Sequence, residues 1–343
     1  MAHYKLALLG FGNVGQALAH LLLEKQAELR ERHNLTFSVT GVSTGRHGAA
    51  INPAGLDMER ALALMQEKNG SLSSLSTLPV PQDAVDFIRR CEADVLFENT
   101  PVNYDTGQPA IDHLRTALEQ GMHAITANKG PVVHSYRELT ALAQAKGRKF
   151  YFESTVMDGA PIFSLFREAL PGANLITLRG VLNSTTNLIL SRMENGESFE
   201  QAVAYAQSIG IAETDPSGDI DGWDASVKVA ALATVLMSAP LKPQEVERQG
   251  IRSITPAEIE HARAQGKRWK LVCTASRQGD RLRARVAPEM VGPDSPLYGV
   301  EGTTSIVQFE TDVLGLLSII ESNPGPHTTA YGLLADFLNA VRK

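Results

Sequence analysis

Apolar residues along this chain fall into two rhythms. Residues 6–9 form a short apolar run that ends in glycine, and residues 16–29 then carry Leu18, Leu21, Leu22 and Leu29 at helical spacing. That order predicts a strand, a tight turn and a helix. Runs at 37–42 and 94–97 predict two more strands. A helical pattern over 108–119 closes at Gly121, and residues 123–127 predict a further strand before Asn128-Lys129-Gly130-Pro131 interrupts the chain. Strands alternating with helices imply a parallel sheet covered on both faces, so residues 1–130 read as one α/β unit.

The rhythm then changes. Runs at 151–153, 176–182, 269–275, 281–286 and 305–309 read as strands separated by longer helices, and Gln278-Gly279-Asp280 reads as the turn of an antiparallel hairpin. A second, mixed α+β domain over 131–327 is expected. A last helix within 328–343 has one apolar face and is free to pack back on the first domain.

The first turn carries the clearest chemistry. Gly10-Phe11-Gly12-Asn13-Val14-Gly15 matches G-x-G-x-x-G between a strand and a helix. The first glycine permits the tight turn, the second lets backbone approach a pyrophosphate, and the third lets helix and strand pack closely. The helix start offers free N–H groups and a partial positive charge. The first domain is therefore expected to be a Rossmann-type dinucleotide-binding domain. A site preferring NAD would usually place an acid at the end of the second strand, yet no acid lies between Glu31 and Asp57. Ser43 and Thr44 followed by Arg46 suit a 2′-phosphate better, so NADP is favoured, with NAD as the alternative. Gly41-Val42-Ser43-Thr44-Gly45 also matches the nucleophile elbow of hydrolases, but no helix pattern follows it, as that elbow requires.

Composition narrows the partners. A length of 343 residues suggests about two domains at roughly 150 residues each. A net charge of −6 gives no field to attract a phosphate backbone or an anionic membrane, so a small-molecule substrate is expected, with no nucleic acid and no membrane. Cys91 and Cys273 are isolated, without C-x-x-C pairing, which fits a reducing compartment. The first apolar run is too short for a signal segment, and the longest other run, 227–237, falls short of the roughly 18 residues of a span. A cytoplasmic protein is expected.

One segment accounts for part of the acid excess. Residues 210–228 carry Glu213, Asp215, Asp219, Asp221 and Asp224, followed by Lys228. A helix is expected to start near Asp221 or Gly222, with an aspartate able to cap it. Asp224 and Lys228 are then neighbours one turn apart. On a surface helix such a pair is worth only a few tenths of a kcal/mol. The residues after Lys228 are apolar on several sides, and a lysine buried among them is suited to exchanging a proton near neutral pH. The spacing of the acids misses the EF-hand pattern.

Taken together, these segments resemble homoserine dehydrogenase. The likeness rests on the glycine turn, Thr126-Ala127-Asn128-Lys129, Glu153-Ser154-Thr155-Val156-Met157-Asp158-Gly159-Ala160-Pro161 and Asn183-Ser184-Thr185-Thr186-Asn187. It continues through the acidic segment and Tyr298-Gly299-Val300-Glu301-Gly302-Thr303-Thr304. The resemblance implies NAD(P)-dependent interconversion of L-homoserine and L-aspartate 4-semialdehyde, on the route to threonine and methionine. It implies Lys228 as catalytic acid/base and Lys129 as a second essential cation facing cofactor and substrate. Glu213, Asp219 and Asp224 would clamp the substrate. Thr100, Gly210 and Gly325 would line the cofactor together with the glycine turn, Ser43, Arg46 and Lys129. A monovalent cation, Na+ or K+, would be held by Glu153, Val156, Asp158 and Ala160. A homodimer is implied, joined through 131–150 and part of the second domain's sheet, making that domain both catalytic and dimerising. Ser184 stands where the family often has glycine, and Pro326-His327 replace the small residues usual after Gly325. The chain ends soon after that loop, so neither an ACT domain with threonine feedback nor a fused aspartate kinase domain is expected.

Overall fold

The computed structural model describes residues 1–279 and 281–342, and these form two compact units. The first comprises residues 1–161 together with the segment from Gly325 onward; the second comprises Ile162–Pro324.

In the first unit, β1 (Ala2–Leu9), α1 (Asn13–His33), β2 (Leu35–Thr44) and β3 (Gly48–Ile51) are followed by α2 (Met58–Gln66), α3 (Ala84–Arg90) and β4 (Val95–Glu98). Then come α4 (Ala110–Glu119), β5 (His123–Thr126), α5 (Lys129–Ala145) and β6 (Phe150–Tyr151). The sheet order is β3-β2-β1-β4-β5-β6, with parallel pairing except between β2 and β3. β1 ends in an unbroken apolar run because both its faces are buried. Leu6 and Leu8 join a cluster with Leu18, Val39, Phe97 and Phe337, while Ala7 and Leu9 join Phe87, Ile88 and Leu96. The last helix, Pro326–Val341, packs against α1, with Phe337 edge-on to Phe97 at 6.1 Å.

Two sequence expectations change here. Residues 131–161 lie with the first unit, because α5 packs on α4 and β6 adds to the sheet by pairing Phe150 with Ala124 and Tyr151 with Ile125. The strand expected over 151–153 is therefore the first sheet's sixth strand, and Glu153–Thr155 form a short 3-10 turn instead. β3 carries no clear apolar rhythm and follows directly on the 41–45 segment as an antiparallel partner of β2. A nucleophile elbow, which needs a helix there, is excluded.

The second unit holds β7 (Leu175–Val181), α6 (Ser184–Glu194), α7 (Phe199–Ser208), α8 (Ser217–Ile220), α9 (Trp223–Leu236) and β8 (Glu247–Arg248). These precede α10 (Pro256–Ala264), β9 (Arg268–Gln278), β10 (Arg281–Val291), β11 (Ser305–Thr311) and β12 (Gly315–Glu321). The sheet order is β12-β11-β7-β9-β10-β8, antiparallel except for the short β8 edge. The hairpin is present as β9–β10, with Gln278 opposite Arg281; Asp280 lies outside the described residues. α9 packs on β9 and β10 through a helix whose Ala225, Val229, Ala230, Leu232 and Ala233 are all buried. Gly222, at φ +80°, is the N-cap of α9, and no side chain caps it. Asp221 is engaged instead by Arg252, at 2.5 and 3.2 Å.

Candidate active site

The glycine turn closes at the carboxyl ends of β1 and β4, where the strand order reverses and open α/β sheets bind ligands. Gly10 has φ +95°, and a Cβ there would stand 2.4 Å from the Asn99 carbonyl oxygen. A Cβ at Gly15 would stand 2.4 Å from the Gly10 carbonyl oxygen. Gly12, by contrast, has open space where a Cβ would go, and as N-cap of α1 it provides no capping side chain. The first turn of α1 also lacks an acid. Uncapped N–H groups beside open space are what a pyrophosphate requires, so the dinucleotide fits this turn. Phe11, Asn13 and Val14 complete it. The Ser43 carbonyl accepts from the Gly10 and Phe11 N–H groups at 2.9 and 3.1 Å, which fixes the end of β2 against the turn; Arg46 is exposed in the β2–β3 connection.

At the neighbouring strand ends, buried Glu98 ties two candidate segments together. It accepts from the Thr100 N–H at 3.0 Å and from the Thr100 hydroxyl, and from Thr126 Oγ1 at 2.8 Å. Asn128 donates to the Thr100 carbonyl at 3.1 Å and caps α5 through Gly130 N–H at 2.9 Å. Lys129 is thus the first residue of a fixed helix, half-buried next to Thr100's segment. Sequence reading missed Glu98, whose only signal was an acid closing a buried strand.

Asp158, at φ +39°, accepts from the Gly325 N–H at 2.6 Å and from Thr328 Oγ1 at 2.7 Å, which locks the start of the last helix. Pro326 opens that helix at a position where its missing N–H is no loss. Glu153 is buried at 3% exposure and its N–H donates to Asp336 at 2.7 Å. Val156 is buried and Ala160 closes the turn on Met157 at 2.8 Å.

In the second unit the acidic segment splits. Asp219, Asp224 and Lys228 converge, whereas Glu213 is exposed in the loop that follows α7 and Gly210, at φ +74°, turns that loop. Lys228 Nζ lies 3.0 Å from Asp224 Oδ2 and donates to the Leu182 carbonyl at 2.7 Å. The side chains are only 15% and 11% exposed. The lysine expected among apolar residues therefore has a carboxylate and a carbonyl as partners. Asp219 takes a hydrogen bond from Asn183 Nδ2 at 2.7 Å, and Asp224 takes one from the same nitrogen at 3.0 Å. Burial, then the Asp224 charge, pushes the Asp219 carboxyl above its ordinary value, against the pull of Asn183, Thr185 and Lys228. A cavity of about 560 Å³ lined by Glu194, Ser198, Gln201, Ile259, Glu260 and Arg263 opens at the other end of α6 and shares no residue with this cluster.

A dinucleotide turn in one unit and a buried lysine–carboxylate cluster in the other are features that an NAD(P)-dependent oxidoreductase uses. A family model described as the NAD-binding domain of homoserine dehydrogenase matches residues 10–153, and one described as homoserine dehydrogenase matches residues 161–338. The chain belongs to the homoserine dehydrogenase family. It is 37% identical to an NAD(+)-dependent homoserine dehydrogenase of Pseudomonas canavaninivorans, over 99% of this chain and 96% of that one. It is 36% identical to a homoserine dehydrogenase of Methanocaldococcus jannaschii, over 97% of each. A hyperthermophilic archaeal homoserine dehydrogenase in complex with NADPH superposes with a TM-score of 0.83 at 30% identity, covering 99% of this chain and 98% of that one. No helix among the described residues is long and apolar enough to cross a membrane.

Proposed function

We propose that this chain oxidises the hydroxyl of L-homoserine to L-aspartate 4-semialdehyde and runs the reverse reduction, on the route from aspartate to threonine and methionine. The reading rests on one arrangement: Lys228 held between Asp224 and the Leu182 carbonyl, with Asp219 fixed alongside. A nicotinamide dinucleotide held at the glycine turn would supply the hydride acceptor for C4 in the oxidation and the hydride donor in the reduction. Lys228 takes the hydroxyl proton in the oxidation and returns it to the developing alkoxide in the reduction. Asp219 and Asp224, with Glu213 from the adjacent loop, suit the α-ammonium group. Lys129 supplies a second cation at the cofactor end. The glycine turn, Ser43, Arg46, Thr100, Gly210 and Gly325 are proposed to line the cofactor. Mixing purified protein with L-homoserine and NADP or NAD tests the reading; no reduced nicotinamide with either cofactor overturns it.

NADP is the proposed preferred cofactor, since the end of β2 presents Ser43, Thr44 and exposed Arg46 and no acid. The named relatives point both ways, one to NAD(+) and one to NADPH. The 153–160 segment offers carboxylate and main-chain oxygens, donors that suit Na+ or K+ in a structural role; an unchanged Tm when choline replaces both ions would remove it. We place the chain in the cytoplasm, where its free, buried Cys91 and Cys273 would stay reduced; extracellular recovery of the native protein would contradict this. A homodimer is supported by apolar side chains left on the β11–β12 edge, with Val313, Leu314, Leu316 and Ile320 between 57% and 69% exposed. A monomeric mass by light scattering would exclude it.

A further inference from the structure

The Asn183-Ser184-Thr185-Thr186-Asn187 motif has so far carried no chemical role of its own. Its first residue is 3% exposed and spends both of its amide hydrogens on carboxylates, Asp219 Oδ1 at 2.7 Å and Asp224 Oδ2 at 3.0 Å. Its amide oxygen accepts from the Thr186 N–H at 2.8 Å and from Thr186 Oγ1 at 2.9 Å. Turning the amide over would set the oxygen against two carboxylates and the nitrogen against an N–H, so the orientation is fixed from both ends. The residue before it, Leu182, supplies the carbonyl that holds Lys228.

We propose that Asn183 is a positioning residue for the reaction, whose side-chain amide gathers Asp219 and Asp224 into one cluster beside Lys228. This rests on the reading of those three residues as the active site. Capping α6 needs only an acceptor oxygen, and serine, threonine or aspartate would supply one. Two donors aimed at two carboxylates need an amide. Asp224 and Lys228 face Asp219 from α9, and Asn183 and Thr185 face it from the start of α6 and its cap; Asn183, Thr185 and Lys228 favour its ionised form, and burial and Asp224 oppose it.

The test uses Asn183→Ser and Asn183→Asp, which both keep a capping oxygen, beside Asp224→Asn and Lys228→Ala. For Asn183→Ser the expected result is a Tm close to wild type, an unchanged Kd for reduced cofactor, and kcat/KM for homoserine lower by about 10-fold or more. The acid limb of the kcat/KM profile should move to higher pH, because Asp219 loses a donor. Asn183→Asp should move that limb further, since a third carboxylate joins the cluster. A serine variant with kcat/KM within about 2-fold of wild type and an unmoved acid limb would reduce Asn183 to a helix cap and overturn the proposal. Should the serine variant unfold, Asn183→Thr, which also keeps a capping oxygen and removes the amide without adding charge, decides by the same limb. Full activity in Asp224→Asn and Lys228→Ala would instead overturn the underlying site reading.

Discussion

Lys228 reaches back one turn of α9 to Asp224, with Nζ 3.0 Å from Oδ2. The sequence leaves this pair open between a surface helix and a buried one; it is mostly buried, and removing one partner of such a pair is costly. Lys228→Ala should lower kcat by about 10²-fold to 10⁴-fold, the range of a lost acid/base. Cofactor affinity should stay at the wild-type level, because the dinucleotide turn belongs to the other unit. A fluorescence titration with reduced nicotinamide checks this; a weakened Kd would mean the substitution damages more than proton transfer.

Asp219 links stability to pH. Its folded value is raised above the ordinary 3.8, so its favourable contribution is complete below about that pH and is lost as pH rises through the folded value. Above that range the buried carboxyl contributes less to stability than it does in acid. Asp219→Asn should therefore raise Tm by about 2 °C or more near pH 7.5, with the gain shrinking towards pH 4, while kcat/KM falls. Thermal melts across that range decide it, and a gain that grows on acidification would contradict the assignment.

Two glycines three residues apart in one motif, Gly12 and Gly15, should separate cleanly in their effects. Gly15→Ala presses a methyl to 2.4 Å from backbone and should cost about 1–3 kcal/mol of stability. Gly12→Ala meets nothing within 4 Å and should melt near wild type while binding cofactor more weakly. Paired melts and cofactor titrations test the contrast.

Arg46 is exposed in the turn beyond Ser43, just past the end of β2. Arg46→Ala should raise the Kd of NADPH by about 10-fold and that of NADH by less than about 2-fold, the loss of one charge-assisted contact. Equal losses would remove the case for NADP.

Local chemistry made much of this protein legible before folding. A strand, G-x-G-x-x-G and a helix specify one backbone turn, since glycine conformations and helix N–H groups act over a few residues. Helical spacing likewise placed Asp224 and Lys228 on one face of α9. Other features depended on distant segments. The sheet decides that residues 131–161 join the first unit, because a strand as short as β6 does not tell which sheet it extends until β5 pairs with it. Only the tertiary structure brings Asn183 to Asp219 and Asp224, across 36 and 41 residues of chain, and leaves Glu213 of the same acidic run exposed in a loop. Sequence spacing lists the acids; burial and a shared donor select which of them form a cluster.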